Sequence, residues 1–341
     1  MKFNSIERII LFGGSDTLAE CVEIILNKRL NLNLIVIGSQ RHLNEKLAIF
    51  SGTLRLFLAK RKVQTYSTKD INQFNLNHYV NERTLGLAFG AAWMFDKETV
   101  KSFINNHLLD FMVIDLPKYR GGAHYSWMIL HGNRNLTLNL QVILGGKQSF
   151  QKGPIIKSKS YKIPTRAMIP KDYFNFVLDK EKEFMSEFFD QANGNSSFKL
   201  VSINEADSSY YPFLSTKDQG YIDWSWTAEH VNLFIKAFDN PYPGASSFIE
   251  KSRFFLKSSR IFEKGTRFHP FGAGIVIRKD NDGIFVCANG GLLNIKKVFD
   301  VNGKDVSNQI EIGERFFTPF SLLDNAKKFR AVYDSEGLVK K

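Results

Sequence analysis

The chain has 341 residues, of which 43% are hydrophobic, and a net charge of +12. This length predicts two domains, with enough apolar residues for a sizeable core. No segment approaches the ~20 consecutive apolar residues of a membrane span, and charges interrupt the N-terminus where a signal peptide is apolar, so we expect a cytoplasmic protein. Cys21 and Cys287 form no metal or redox pattern and are expected to be buried thiols.

The positive charge is mostly dispersed, but six basic residues lie close together in the C-terminal half. They are Lys251, Arg253, Lys257, Arg260, Lys264 and Arg267. Such an excess is compatible with nucleic acid, an anionic cofactor or a phosphate-bearing substrate. A solvent-facing β-ribbon is the favoured interpretation.

The first part of the chain alternates short apolar runs with helical patterns, which indicates a doubly wound α/β domain. The predicted strands are Ile9–Phe12, Leu34–Ile37, Leu85–Gly90, Phe111–Ile114 and Leu136–Leu144, and the predicted helices include Lys97–Asn106, Tyr125–Leu130 and Pro170–Gln191. No G-x-G-x-x-G follows the first strand, which argues against a nicotinamide or flavin enzyme.

The pattern changes in the second part, where short β-rich runs alternate with Gly, Asp and Asn turns. This pattern is typical of a small all-β domain or barrel. We therefore divide the chain into an α/β domain (1–191), a linker with a junction helix (192–245), a small β domain (246–326) and a C-terminal tail (327–341).

The stretch Leu116–Gly122, sequence LPKYRGG, stands between a predicted strand and a predicted helix. A turn in this position brings polar groups to the carboxyl edge of the sheet, where open α/β sheets bind ligands.

Four separated motifs, in order, carry a resemblance to a known family. They are LPKYRG at Leu116–Gly121, GPII at Gly153–Ile156, IDW at Ile222–Trp224 with AFDNPYPGA at Ala237–Ala245, and GERFFTP at Gly313–Pro319. The chain resembles the formyltransferases that use 10-formyltetrahydrofolate, which include methionyl-tRNA formyltransferase and the nucleotide-sugar N-formyltransferases. The stretches Phe89–Phe95, Gly122–Trp127 and His269–Phe271 are more similar to the sugar-modifying branch.

The resemblance implies a Rossmann-like formyltransferase domain followed by a smaller OB-like β domain. It implies that 10-formyltetrahydrofolate lies near Phe89, Gly90, Ala91, Trp93 and Gln141. It further implies that Lys118, Tyr119 and Arg120 shape the substrate pocket.

Formyl transfer to an amine passes through a tetrahedral oxyanion and needs a donor for that oxyanion and a group that moves the amine proton. The family meets these needs with an Asn, a His and an Asp. Alignment without gaps places Asp110, Met112 and Gln151 at these three positions. Ionised Asp110 would only accept hydrogen bonds, Met112 carries no titrating proton, and Gln151 has no charge.

Two other histidines are candidate replacements for the missing imidazole. His124 stands at the start of the predicted helix after the turn. The alternative to a catalytic role is that His124 is simply a partly buried helix residue. The tripeptide Asn105–His107 also has the spelling N-x-H, but it lies five residues too early relative to the turn.

Three hypotheses follow. The first is a divergent N-formyltransferase acting on a nucleotide-linked amino sugar. The second is a non-catalytic pseudoenzyme that binds folate, a nucleotide sugar or an active paralogue. The third is a tRNA-directed formyltransferase, placed last because it needs the same three residues, and we therefore expect no nucleic-acid partner. No membrane partner is expected either, and a homo- or hetero-oligomer stays open.

From the three substitutions we expect no formyl transfer at ordinary enzyme rates, because losing the oxyanion donor or the proton carrier costs ~10²–10⁴ in rate. The combined change Asp110→Asn, Met112→His and Gln151→Asp should raise the rate of formyl transfer from 10-formyltetrahydrofolate. A triple variant with neither activity nor folate affinity would mean that the pocket has been lost as well.

Overall fold

The computed structural model describes residues 1–3, 6–28, 32–265 and 268–339. The N-terminal half is built from β1 (Arg8–Gly13), α1 (Asp16–Asn27), β2 (Asn33–Gly38), α2 (Gln40–Asn44), α3 (Leu54–Lys60), β3 (Gln64–Ser67), β4 (Thr84–Phe89), α4 (Lys97–Lys101), β5 (Leu108–Val113), β6 (Arg120–Gly121), α5 (His124–Leu130), β7 (Asn135–Val142), β8 (Ile155–Lys162) and α6 (Pro170–Asn193).

The C-terminal half has a different composition of elements. It contains β9 (Tyr210–Tyr211), α7 (Thr216–Gln219), α8 (Ala228–Ala237), β10 (Ala245–Ile249), β11 (Ser252–Lys264), β12 (Val276–Asp280), β13 (Gly283–Ala288), β14 (Gly291–Phe299), α9 (Phe320–Lys328), β15 (Val332–Asp334) and β16 (Gly337–Val339).

The first sheet has the strand order β3-β2-β1-β4-β5-β7-β8. Strands β1 to β5 are parallel, and β7 and β8 are antiparallel to their neighbours. The chain moves outward from β1 in one direction through β2 and β3, and in the other through β4 and β5. The order therefore reverses between β1 and β4, and the crevice at such a switch point is where ligands bind in this architecture.

Both faces of this sheet are buried, which explains the continuous apolar runs of the parallel strands. Ile9 and Leu11 pack on the side of α1 and α6, whereas Ile10 and Phe12 pack on the opposite side. The α/β prediction for this half is confirmed.

The second sheet is five-stranded and antiparallel, with the order β10-β11-β14-β13-β12. The expectation of a smaller β-rich C-terminal region is thus confirmed. Helix α8 lies between the two sheets. Ser126 of α5 donates a hydrogen bond to the carbonyl of Ala237 (2.8 Å), and Ser259 of β11 donates one to the side chain of Asn232 (2.9 Å).

Two expectations about local structure need correction. The helix predicted over Lys97–Asn106 ends at Lys101, because Phe103 is already extended (φ −92°, ψ 103°). A 3₁₀ turn follows, in which Asn105 and Asn106 have left-handed φ angles of 58° and 63°. Asparagine tolerates this conformation better than other non-glycine residues. The segment expected as a tail contains the hairpin β15–β16 in residues 332–339.

The clustered basic residues of β11 have local partners. Arg260 pairs with Asp282 (3.4 Å) and Lys264 pairs with Glu229 (2.5 Å). Arg253 donates to Ser246 and lies over the ring of Tyr221. Arg267 lies outside the described residues. These contacts support the interpretation of a solvent-facing ribbon.

Gly121 gives a test of the backbone frame around the turn. Its φ is 111°, and a Cβ added there would lie 1.8 Å from the carbonyl oxygen of Tyr211. Gly121→Ala should therefore lower the free energy of unfolding by about 2–4 kcal/mol, measured by urea denaturation. Gly272 has open space around its Cα, so Gly272→Ala should change it by less than about 0.5 kcal/mol. Equal effects of the two changes would contradict the proposed constraint.

Candidate functional site

A cleft of about 1960 Å³ opens at the carboxyl edge of the first sheet and extends along β5 and β7. It is lined by the segments that follow β1, β3, β4 and β7, by the start of α5, and by residues 328–335. Pockets for a single small ligand usually measure about 300–1,000 Å³. The cleft therefore has room for two ligands side by side, as a group-transfer reaction between a donor and an acceptor requires.

Asp110 and Met112 both line this cleft. They stand two residues apart on β5, so their side chains point to the same face of the sheet. Asp110 is paired in register with Ala88 of β4 and Gln141 of β7, and both of these neighbours are uncharged and line the cleft.

The carboxyl group of Asp110 is partly buried, and no hydrogen bond to it is present within the described residues. Desolvation by burial raises the pKa of Asp110 to about 7. The carboxyl group can thus both take up and release a proton near neutral pH. The assumption of a permanently ionised Asp110 therefore does not apply to the folded chain.

Gln151, the third aligned position, lies against Met112. Its Nε2 donates to the Sδ atom of Met112 (3.2 Å), and its Oε1 accepts from the backbone N–H of Gly121 (2.9 Å). The φ angle of Gln151 is 52°, which an L residue rarely adopts. The three positions aligned with the family's Asn, His and Asp thus lie around one wall of the cleft.

Arg120 supports the position of Gln151 from outside the cleft. Its Nε donates to the carbonyl oxygen of Gln151 (3.0 Å), and its two terminal nitrogens pair with the carboxylate of Glu205 (2.9 and 2.6 Å). Arg120 is only 5% exposed. A bidentate Arg–carboxylate pair fixes the geometry more tightly than a single contact, so Arg120 positions the backbone that carries Gln151.

The turn residues expected to shape the substrate pocket do not line the cleft. Lys118 is exposed and lies 3.9 Å from Asp115, and Tyr119 stacks on Tyr211 with a ring separation of 5.3 Å. Arg120 faces Glu205 instead of the cleft. The structure therefore separates these three residues from the others predicted for the site.

The residues expected near folate do line the cleft: Phe89, Gly90, Ala91, Trp93 and Gln141. Phe89 and Ala91 give the wall an apolar character, and Gly90 turns the chain with φ 53°. This combination of apolar surface and loop backbone suits a flat heterocycle with polar edges. One N–H of Gln141 is already engaged, because its Nε2 donates to the carbonyl of Gly153 (2.7 Å).

The two histidines differ in their placement. His124 lines the cleft, and its Nε2 donates to the carbonyl of Gly121 (3.0 Å). Burial lowers the pKa of His124 to about 4, so its ring is a weak base at neutral pH. His107 does not line the cleft: it contacts the carbonyl of Lys2 and the ring of Phe3.

Two parts of the site were missed by sequence reasoning. Glu181 of α6 lines the cleft at 6% exposure, receives a hydrogen bond from Thr17 (2.5 Å), and has its pKa raised by burial to about 7. A signal was present, because Glu181 occupies an apolar helical position between Val177 and Phe184. The second part is residues 328–335, which nothing in the sequence links to the sheet edge.

Within the described part of the chain no helix combines the length and apolarity needed to cross a membrane. In the same residues no three His, Cys, Asp or Glu side chains come together as a metal site would require. Cys21 and Cys287 are both buried and free.

The fold combines a mostly parallel α/β sheet with a β-rich C-terminal region, and the cleft lies at the switch point of the first sheet. A family model described as the C-terminal domain of formyl transferase matches residues 214–309. The methionyl-tRNA formyltransferase of Desulfotalea psychrophila is 27% identical over 186 residues, which are 54% of this chain and 54% of that protein. The enzyme of the same name from Ruminiclostridium cellulolyticum is 21% identical over 320 residues, 90% of this chain and 99% of that protein.

Two solved structures share the fold. WlaRD, a sugar 3N-formyl transferase crystallised in the presence of dTDP and 5-N-formyl-THF, aligns with a TM-score of 0.61 at 17% identity, over 88% of this chain and 99% of that chain. The N-formyltransferase from Helicobacter canadensis, in complex with folinic acid and dTDP-3-aminofucose, aligns with a TM-score of 0.62 at 15% identity, over 86% of this chain and 100% of that chain. Residues 214–309 thus match the formyl transferase C-terminal domain, and the chain is similar to formyltransferases over most of its length.

The raised pKa of Asp110 predicts a pH-dependent stability. Between about pH 4, the ordinary pKa of Asp in an unfolded chain, and pH 7 the folded chain keeps a proton that the unfolded chain has released. The free energy of unfolding therefore falls as the pH rises through this range. Asp110→Asn removes this contribution, so the variant should gain on the order of 3 kcal/mol relative to the original chain between pH 4 and 8.

This difference is measured by urea denaturation at several pH values. Glu181 also titrates in this range, but it is present in both proteins and cancels in the difference. A stability difference that does not vary with pH would mean that Asp110 has an ordinary pKa.

Proposed function

We propose that this protein transfers a formyl group from 10-formyltetrahydrofolate to the amine of a nucleotide-linked amino sugar, with Asp110 as the residue that moves the proton. The observation that carries the proposal is the position of Asp110: it lines the cleft on the same strand face as Met112, with a pKa near neutrality caused by burial. Met112 and Gln151 cannot perform this step.

The chemistry needs one proton transfer. When bound, 10-formyltetrahydrofolate supplies the formyl carbon, which forms a bond to the acceptor nitrogen and loses its bond to N10, while one proton passes from the acceptor nitrogen to N10. The Asp110 carboxylate takes the proton from the acceptor and then returns it to N10. A group whose pKa lies near the working pH suits both halves of this transfer.

Two observations support folate and nucleotide ligands. The two solved relatives by fold hold a formyl-folate compound together with a dTDP compound. The cleft of about 1960 Å³ exceeds the usual size for one ligand, and the apolar loop after β4 forms one of its walls. That the acceptor is a sugar derivative is likewise part of this proposal.

A second candidate is a non-catalytic protein that binds the same ligands. The contact between Gln151 Nε2 and Met112 Sδ favours it, because this pair replaces a charged anchor and an imidazole by two groups that do not titrate. The tRNA-directed alternative loses its main argument, since Arg253, Arg260 and Lys264 are engaged in local contacts.

Formyl transfer should be measured with 10-formyltetrahydrofolate and a panel of nucleotide-linked amino sugars, following product formation by mass spectrometry. We expect slow turnover by the original chain and a further loss of about 10²-fold or more in Asp110→Asn, because an amide cannot carry the proton. The rate should rise with pH around 7, as the Asp110 carboxyl ionises.

Two controls make this experiment decisive. Asp300→Asn changes an acidic residue of the C-terminal turn at 300–303, outside the cleft, and should keep the original rate. Folinic acid affinity should be retained in Asp110→Asn. Binding of folinic acid without any product from the original chain would favour the non-catalytic candidate, and unchanged turnover in Asp110→Asn would exclude Asp110 as the proton carrier.

A further inference from the structure

The C-terminal hairpin lies across the mouth of the cleft. We use the name strap for residues 331–339, which comprise β15, a two-residue turn and β16. The strap residues Ala331–Ser335 line the cleft together with the preceding Lys328–Arg330.

The tip of the strap is anchored at the β2–β3 side of the sheet edge. The carbonyl of Ser335 accepts hydrogen bonds from Ser39 Oγ (2.6 Å) and Arg41 Nε (3.0 Å). The hydroxyl of Ser335 donates to the carbonyl of Lys69 (2.8 Å), and Ser335 is only 3% exposed. Trp93, from the loop expected near folate, donates to the same Lys69 carbonyl (3.0 Å).

The base of the strap is anchored at the opposite side of the cleft. Ala331 forms an isolated β-bridge with Phe213, and the ring of Tyr333 packs on the ring of Phe213 at 4.9 Å. Phe213 in turn lies directly against Gly122, where an added Cβ would come within 2.3 Å of the ring. The strap therefore spans from the loop of Trp93 to the turn that follows β5.

Arg330 stands at this base and is exposed toward the cleft. Its side chain has no ion pair or hydrogen bond within the described residues, in contrast to Lys328, which pairs with Asp324 (2.6 Å). The acidic residue nearest along the strap, Asp334, accepts a hydrogen bond from the backbone of Glu336 within the turn. An unpaired guanidinium at the wall of a cleft is suited to bind an anionic group such as a phosphate.

We propose that the strap is a wall of the acceptor site and that Arg330 binds the phosphate of a nucleotide-linked acceptor. This inference rests on the proposed function and assigns the acceptor to the class of nucleoside diphosphate derivatives. Arg330 directly precedes Ala331, which bridges to Phe213 beside Gly122, whereas Trp93 of the loop expected to hold folate shares the Lys69 carbonyl with the opposite end of the strap. We therefore expect a bound diphosphate, and not the folate carboxylates, to contact Arg330.

The test is calorimetric titration of the full chain with dTDP and, separately, with folinic acid. Arg330→Ala should weaken dTDP binding by about tenfold or more, which is about 1.4 kcal/mol, and change folinic acid binding by less than about twofold. Lys304→Ala removes one charge from an exposed turn outside the cleft, and should leave both affinities within about twofold.

Each other outcome has a defined meaning. Equal effects of Arg330→Ala and Lys304→Ala on dTDP binding overturn the assignment of Arg330. Weakening of folinic acid binding alone means that the anion held there is a folate carboxylate. If the original chain binds folinic acid but not dTDP, this inference is overturned and the folate site remains. If it binds neither ligand, both this inference and the proposed function are overturned.

A second pair of variants tests the strap itself. Ser335→Ala removes the hydrogen bond to Lys69, and Glu336→Ala changes the exposed neighbour in the same turn. Ser335→Ala should speed amide hydrogen exchange in 332–339 and weaken dTDP binding, whereas Glu336→Ala should do neither. Faster exchange in Ser335→Ala with the original dTDP affinity would show that the strap is no part of the acceptor site.

Discussion

The ion pair between the buried Arg120 and Glu205 is the interaction on which the position of Gln151 in the cleft depends. Arg120 links the turn after β5 to the segment at Glu205 and, through its Nε, to the backbone of Gln151. Because the guanidinium is almost fully buried, its fork geometry leaves little freedom to these three segments. The contact of Gln151 with Met112 and with the backbone of Gly121 depends on this placement. The position of Gln151 beside Met112 thus rests on contacts made by Arg120 and by the backbone of Gly121.

Burial raises the pKa of Asp110, the one acidic residue among the three aligned positions. Asp110 has no charged neighbour in register on β4 or β7, so nothing offsets the desolvation of its carboxylate. The same physical cause acts on Glu181 across the cleft and lowers the basicity of His124. Near neutral pH the carboxyl groups of Asp110 and Glu181 are therefore only partly ionised.

The C-terminal hairpin completes the same cleft from the outside. Its contacts come from both ends of the sheet edge, at Ser39 and Lys69 on one side and at Phe213 on the other. A large opening at the switch point of an open sheet would otherwise expose much apolar surface of the loop after β4. The hairpin therefore connects the C-terminal region with the cleft at the edge of the first sheet.

The sequence by itself determined the fold class, the two-sheet organisation and the alignment of Asp110, Met112 and Gln151, because strand periodicity and turn motifs are local. The residues expected near folate, Phe89–Trp93, line the cleft, and their contact with folate stays a prediction. Local patterns could not show that Lys118–Arg120 face away from the cleft, since Arg120 finds its partner Glu205 only after folding. They likewise missed Glu181 and residues 328–335, and they could not give the protonation of Asp110. Only the tertiary structure decided these points, because burial and long-range contacts depend on which distant segments meet.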